Sequence, residues 1–165
     1  MDSEQLTLDI SSPTSDIEND FLISPSNIAA WKIIETFPHW DFNLSIISGE
    51  RLCGETTLAK IFAQKFNVPL IDFSEISNFK FAPSAVAIDN FQPTLLREQE
   101  EQLCHLYDEA LAYDKKILLL GRSFDLSKIE RIDLKTRLQS SLHAKILPPD
   151  DILGGQLLLK LLKVI

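Results

Sequence analysis

Residues 44–60 read LSIISGERLCGETTLAK: a short apolar run, a loop bounded by two glycines, and then residues that favour a helix. This order is that of the phosphate-binding loop G-x-x-x-x-G-K-[ST], in which backbone N–H groups at a helix N-terminus hold phosphates and a lysine neutralises them. The positions that match the pattern are Gly49, Gly54, Thr56 and Thr57. The lysine position holds Glu55. A negative side chain therefore replaces the positive one on which phosphate binding depends.

The composition is that of a globular protein of one domain. The chain has 165 residues, of which 45% are hydrophobic and 24% charged. A net charge of −8 argues against a broad nucleic-acid surface, so we expect no direct DNA binding. Neither a membrane-spanning run nor a signal peptide is evident, which predicts a cytoplasmic protein without membrane contact. Cys53 and Cys104 are then expected to be free thiols.

Hydrophobic periodicity downstream of a polar tail (1–20) alternates between strand and helix. The predicted strands are 44–48, 68–73, 85–89, 116–120 and 144–147, and the predicted helices are 28–37, 56–66, 92–113 and 134–142. Such alternation predicts an α/β fold with a parallel five-stranded sheet sandwiched by helices. In the long helix, Leu95, Leu96, Leu103, Leu106 and Leu111 are expected to form the apolar face. Glu98, Glu100 and Glu101 are expected on its solvated side.

Functional groups gather at the carboxyl ends of parallel strands, and Gly49, Asp89 and Arg122 are predicted to lie there. The strand AVAID ends in Asp89, the kind of acid that holds Mg²⁺ in nucleotide hydrolases, together with the Thr56 hydroxyl. Asn90 follows, and an amide cannot act as a carboxylate base. The sequence thus indicates a nucleotide site with two substituted positions.

Together these motifs resemble the AAA+ ATPases, and more narrowly the branch formed by the replication initiator DnaA and its regulator Hda. The similar segments are the entry FLISPSNIAA (21–30), Walker A (49–58), Walker B (85–90), sensor 1 (117–123), the box VII segment DLKTRL (133–138) and the lid start PPDD (148–151). The nucleotide-binding positions that the resemblance implies are Asn27, Gly49, Gly54, Glu55, Thr56, Thr57, Asp89, Asn90 and Arg122. It also implies Mg²⁺ at Thr56 and Asp89, and Arg137 as an arginine finger acting in trans.

The N-terminal segment QLTLDI alternates apolar residues behind a glutamine, a pattern suited to lying extended in an apolar groove. It resembles the Hda motif Q-L-x-L-P-L, which binds the DNA polymerase sliding clamp (its beta subunit). The resemblance makes Gln5, Leu6, Leu8 and Ile10 the clamp-binding residues.

The expected domains are a tail with this motif (1–20), an AAA+ core (21–148) and the start of a largely missing helical lid (149–165). The expected function is regulation of bacterial replication initiation: a clamp-tethered protein that promotes inactivation of ATP-bound DnaA. Its own binding of ATP or ADP with Mg²⁺ is expected to be impaired, and ATPase activity with it, unless Arg51 or Lys60 supplies the missing charge. The alternatives are a functional ATPase and a clamp-binding adaptor without effect on DnaA.

Overall fold

The computed structural model describes residues 21–50, 54–92, 94–122 and 124–148. The predicted tail, its residues Gln5, Leu6, Leu8 and Ile10, and the lid segment 149–165 lie outside these ranges, as does Cys53. The helices are α1 (Ile28–Thr36), α2 (Glu55–Lys65), α3 (Arg97–Tyr113) and α4 (Ile132–Gln139). The strands are β1 (Leu44–Gly49), β2 (Leu70–Asp72), β3 (Ala85–Phe91), β4 (Lys116–Gly121) and β5 (Leu142–Ile146), and short 3₁₀ helices occupy Phe73–Asn78 and Leu126–Lys128.

The five strands form one sheet in the order β2-β3-β4-β1-β5, and every neighbouring pair is parallel. All six residues of β1 are buried because helices cover both faces of the sheet. Helices α1 and α2 pack on one face through Ile34 and Phe62. Helices α3 and α4 pack on the other through Leu103 and Leu134. The predicted α/β architecture is confirmed.

One helix and one strand begin at residues other than those predicted, because a side-chain hydrogen bond or strand pairing outweighs the local sequence pattern. Helix α3 begins at Arg97 rather than at residue 92, because Leu96 is extended and its N–H is capped by Gln99 Oε1 at 3.0 Å. Strand β5 begins at Leu142, a residue predicted to be helical, because it pairs there with Ser45 of β1.

The predicted solvated side of α3 is wrong for Glu100, whose side chain is only 2% exposed. Its two carboxylate oxygens accept hydrogen bonds from the backbone N–H groups of Glu130 (2.9 Å) and Arg131 (3.1 Å). The apolar face is also narrower than predicted, since Leu96 and Leu111 are exposed. The segment before α4 therefore packs on a part of α3 that sequence periodicity predicts to be exposed to solvent.

Within the described ranges, each helix is too short or too polar to cross a lipid bilayer.

Candidate phosphate-binding site

The turn into α2 has a left-handed glycine at the position of the second glycine of the loop pattern. Strand β1 ends at Gly49, and Gly54 adopts a left-handed conformation (φ +97°) immediately before the first helical residue. A Cβ atom added at Gly54 would meet nothing closer than Phe21 Cε2, at 3.9 Å. The backbone conformation, and not a lack of space, therefore requires glycine here.

Glu55 is the first residue of α2, and its side chain turns back towards the helix N-terminus. Its carboxylate accepts a hydrogen bond from its own backbone N–H, and the residue is only 8% exposed. The second oxygen, Oε2, is buried without a hydrogen-bond partner among the described residues. The side chain thus lies where a phosphate-binding loop presents its N–H groups to an anion.

The charges around Glu55 act in opposite directions. Burial raises the pKa of its carboxyl group, and the nearby negative charge of Asp89 raises it further. The hydrogen bond from its own N–H and the positive charge of Arg122 lower the pKa. Burial is the dominant cause, so the neutral form of Glu55 is favoured more in the folded protein than in water.

Asp89 lies buried in β3, and its Oδ1 accepts a hydrogen bond from the N–H of Asn90 at 2.8 Å. Arg122 follows the end of β4, with an exposed side chain. Parallel pairing of β3 with β4 carries both residues towards the N-terminus of α2. Asp89 and Arg122 therefore lie close enough for their charges to act on Glu55.

Asn90 points away from this cluster. It has a left-handed backbone (φ +63°) at a bulge in β3, and its Nδ2 donates to Asp72 Oδ2 at 2.5 Å. This hydrogen bond and those from Ser74 lower the pKa of the Asp72 carboxyl group. Beside it lies an open polar cavity of about 360 Å³, lined by residues that include Asp72, Ser74, Asn90, Gln92, Thr94 and Gln99. The Asn90 side-chain amide is thus hydrogen-bonded at the β2 edge of the sheet.

Several solved structures share this fold, although no protein-family model and no curated protein matches the chain. A DNA replication initiation factor superposes with a TM-score of 0.75 and 15% identity, over 88% of this chain and 53% of its own. AMPPCP-bound DnaA from Aquifex aeolicus gives 0.74 and 16%, over 89% and 54%. Domain III of DnaA from Thermotoga maritima gives 0.70 and 22%, over 90% and 73%. The fold is that of a DnaA-like AAA+ domain. The chain spans about half the length of the first two of these structures.

In this fold, Asn27 stabilises the segment before α1 through hydrogen bonds and does not face an open site. It is 3% exposed, its Oδ1 accepts from the N–H of Ser24, and its Nδ2 donates to the carbonyl of Leu22, both at 2.9 Å. Thr56 and Thr57 have exposed side chains in the first turn of α2. Among the described residues there is no group of three or more His, Cys, Asp or Glu side chains that could hold a metal ion. Magnesium binding at Thr56 and Asp89 stays a prediction.

Arg137 lies on α4, which packs on the face of the sheet opposite α2. Its Nη2 is 2.6 Å from Asp108 Oδ1, and its guanidinium carbon is 4.9 Å from the centre of the Tyr107 ring. Its Nη1 also donates to the carbonyl of Cys104 at 3.4 Å. The arginine is therefore held against α3, away from the Glu55 cluster of its own chain. A role on another subunit stays a prediction.

One polar contact near the loop was not foreseen from the sequence. Ser48 Oγ, at the end of β1, lies 2.7 Å from Nε2 of His143 on β5, whose ring packs edge-on against Phe124. Burial, followed by the charge of Lys145, lowers the pKa of His143, which favours the neutral ring. Register alone could have found it, because Ser48 and His143 lie two rungs apart on the same face of neighbouring strands.

Proposed function

We propose that this protein is an Hda-like regulator of bacterial replication initiation, built on a DnaA-like AAA+ domain that no longer binds nucleotide efficiently. One observation carries the proposal: the buried carboxylate of Glu55 lies at the helix N-terminus where the loop would hold phosphate. The fold suits the replication machinery, since proteins with similar structures include replication initiators. The chemistry of its own site does not suit ATP.

The electrostatic cost of nucleotide binding is large. Two like unit charges about 4 Å apart repel by about 4 kcal/mol at an effective dielectric constant of about 20. A penalty of this size lowers affinity by about three orders of magnitude. Nucleotide phosphate therefore does not fit the residues present unless Glu55 is protonated or leaves its buried position. Asn90, bound to Asp72, adds no base that could activate water.

The groups that would act on partners are Arg137 and the clamp-binding residues Gln5, Leu6, Leu8 and Ile10. An arginine supplied in trans stabilises the charge that develops during nucleotide hydrolysis. In the free protein Arg137 pairs with Asp108, whose side chain is 57% exposed. An ion pair with one exposed partner contributes about 1 kcal/mol. To leave Asp108, Arg137 would also give up its contacts with the Tyr107 ring and the Cys104 carbonyl. We propose that it does so on ATP-bound DnaA, in the cytoplasm, while the tail holds the sliding clamp.

The test is ATP turnover by DnaA in the presence of DNA and sliding clamp, with and without this protein. We expect the wild-type protein to accelerate ATP turnover by DnaA, and we expect Arg137→Ala to abolish this acceleration. In the double variant Leu6→Ala with Leu8→Ala, adding the clamp should no longer change the rate of turnover. Arg131→Ala is the matched control, because Arg131 caps the N-terminus of the same helix, α4, and also pairs with an acid, Asp133. Unchanged turnover on adding the wild-type protein would refute the regulatory function.

The two alternatives give different results in the same set of assays. A clamp-binding adaptor would be retained on the clamp through Leu6 and Leu8, yet would leave DnaA turnover unchanged. A functional ATPase would bind AMPPCP in calorimetry and lose that binding on Asp89→Ala. One of the structures with this fold, DnaA from Aquifex aeolicus, does bind AMPPCP, so the measurement is needed on the wild-type chain.

A further inference from the structure

Strand β2 lies at one edge of the sheet, and within the described residues one of its two sides is unpaired. The strand pairs with β3 alone, and its residues match Ala87–Asp89 in register. The N–H of Ala87 donates to the carbonyl of Pro69 at 2.9 Å, so the hydrogen bonds of Ala87 lie on either side of Leu70. The N–H and C=O groups of Leu70 therefore point away from the sheet, and the residue is 36% exposed.

The two edges of the sheet are protected differently. Exposed N–H and C=O groups are a template for another strand, and proteins usually block them with charged side chains or a covering segment. At the opposite edge, β5 carries the exposed side chain of Lys145, and the N–H of Leu147 donates to the carbonyl of Ser26 at 2.8 Å. Strand β2 reads LID and has no lysine. Pro69 does not block its open side, because the carbonyl of Pro69 faces β3.

An open cavity of about 250 Å³ lies beside this edge. The residues that line it come from β2 and from the 3₁₀ helix that follows, with the residue after that helix: Ile71, Glu75, Asn78 and Phe79. Ile71 and Phe79 are partly buried against the core and form an apolar floor. Glu75 and Asn78 are exposed and form a polar rim. A strand added to β2 would present every second side chain to this side of the sheet.

The rim of the cavity carries a carboxylate that is free to bind a cation. Glu75 is exposed and forms no ion pair with any residue in the described part of the chain. The neighbouring carboxylate of Asp72 already accepts hydrogen bonds from Ser74 and Asn90. Residues i and i+2 of a strand share a face, so a cationic side chain two residues from an apolar one would reach Glu75 while the apolar one enters the cavity.

Charge and position argue against the chain's own segments as the occupant of this edge. Residues 1–20 contain six acidic residues and neither lysine nor arginine, so Glu75 repels them. A second copy of the chain repeats the net charge of −8 and would bring an acidic rim of its own. Residues 149–165 follow β5, which lies four strand spacings, about 19 Å, from β2.

We propose that the free edge of β2 binds an extended segment of a partner protein as a further strand. The segment places an apolar side chain in the cavity beside Ile71 and Phe79, and a lysine or arginine two residues away on Glu75. Backbone hydrogen bonds to Leu70 supply affinity, and the cavity with its acidic rim supplies selectivity. This surface goes beyond the proposed function, because it uses neither Arg137 nor the segment 5–10.

The first experiment adds the acetylated and amidated peptide TTLTRTT to the full-length protein and follows the backbone amides by NMR. Its leucine and arginine are two residues apart, and its threonines favour the extended conformation. We expect saturable shifts centred on the amides of Leu70 and Asp72. Two versions of the peptide carry N-methyl groups on one or the other set of alternate amides. The version that blocks the amides facing β2 should bind about tenfold more weakly or worse, whereas the other should still bind.

Three variants of the protein test the two kinds of contact. Glu75→Gln should weaken peptide binding about fivefold, the factor that corresponds to an exposed ion pair of about 1 kcal/mol. Glu35→Gln is the matched control and should bind as the wild type does, since Glu35 is also exposed but lies on α1. Leu70→Pro removes the N–H on the open side and keeps the bonds to β3, so it should abolish binding. Thermal melts check folding, and if Leu70→Pro does not fold, the N-methylated peptides test the same hydrogen bonds.

Several results would overturn the inference: no saturable binding of the peptide, equal binding by wild type and Glu75→Gln, or equal binding of the two N-methylated peptides. Hydrogen exchange of the free protein tests the other occupants, because the Leu70 amide should exchange rapidly when nothing covers it. Protection of this amide would show that the chain itself or, if it grows with concentration, a second copy already pairs with β2, and would equally refute a partner strand. Each of these results leaves the stimulation of DnaA free to succeed or fail by itself.

Discussion

Replacement of Glu100 offers the sharpest test of the packing between α3 and the segment before α4. Its buried carboxylate accepts hydrogen bonds from two backbone N–H groups, those of Glu130 and Arg131, thirty positions along the chain. These donors belong to the non-helical segment that leads into α4. Removing the carboxylate therefore leaves both N–H groups without their acceptor.

The magnitude follows from the two bonds. A hydrogen bond to a charged group contributes about 1.5–3 kcal/mol, so Glu100→Ala should lower the free energy of unfolding by about 3–6 kcal/mol. Glu100→Gln keeps one acceptor oxygen but presents an NH₂ group to the second donor, and should cost about 2 kcal/mol. Domains of this kind have only about 5–15 kcal/mol in total. The alanine variant is thus expected to be near the limit of folding.

Urea denaturation followed by circular dichroism measures these differences, with Glu98→Gln as the control on the same helix. Glu98 is exposed, and its replacement should change stability by less than about 1 kcal/mol. If Glu100→Ala costs no more than the control, the carboxylate is solvated as its place in the sequence suggested. The account of how α3 fixes the start of α4 would then be wrong.

Three further predictions concern the phosphate-loop region. Because burial raises the pKa of Glu55 above its ordinary value of 4.5, the folded state binds a proton more readily than the unfolded state, and wild-type stability falls as pH rises above that value. In urea denaturation, Glu55→Gln should therefore gain stability relative to the wild type as pH rises above 4.5, by about 1.4 kcal/mol for each unit by which the pKa is raised. A stability difference that does not change with pH would contradict the burial of this carboxyl group. Gly121→Ala should cost about 2–3 kcal/mol in the same assay, because its Cβ would lie 2.3 Å from the Phe91 carbonyl oxygen; an unchanged midpoint would show that β3 yields easily. Glu55→Lys should gain AMPPCP binding in calorimetry, and no gain would mean that features other than this charge close the site.

Part of the candidate site, at the carboxyl ends of the strands, could be predicted from the sequence. Strand-end positions follow from the alternation of apolar runs and helices, so the placement of Gly49, Asp89 and Arg122 at the carboxyl edge of the sheet could be predicted. The orientation of each side chain could not. Whether Glu55 faced water or the protein depended on packing around the helix N-terminus, and that packing involves several elements at once.

The sequence by itself determined the α/β class, the parallel sheet and the glycine-bounded loop, because hydrophobic periodicity and glycine placement act over a few neighbouring residues. Tertiary structure alone decided that Glu100 is buried, that Asn90 bonds Asp72, and that Arg137 rests on Asp108. Each of these contacts joins residues far apart in the chain, where no local pattern records the partner. A charged residue in a polar stripe looks the same in sequence whether it meets water or two unpaired backbone N–H groups.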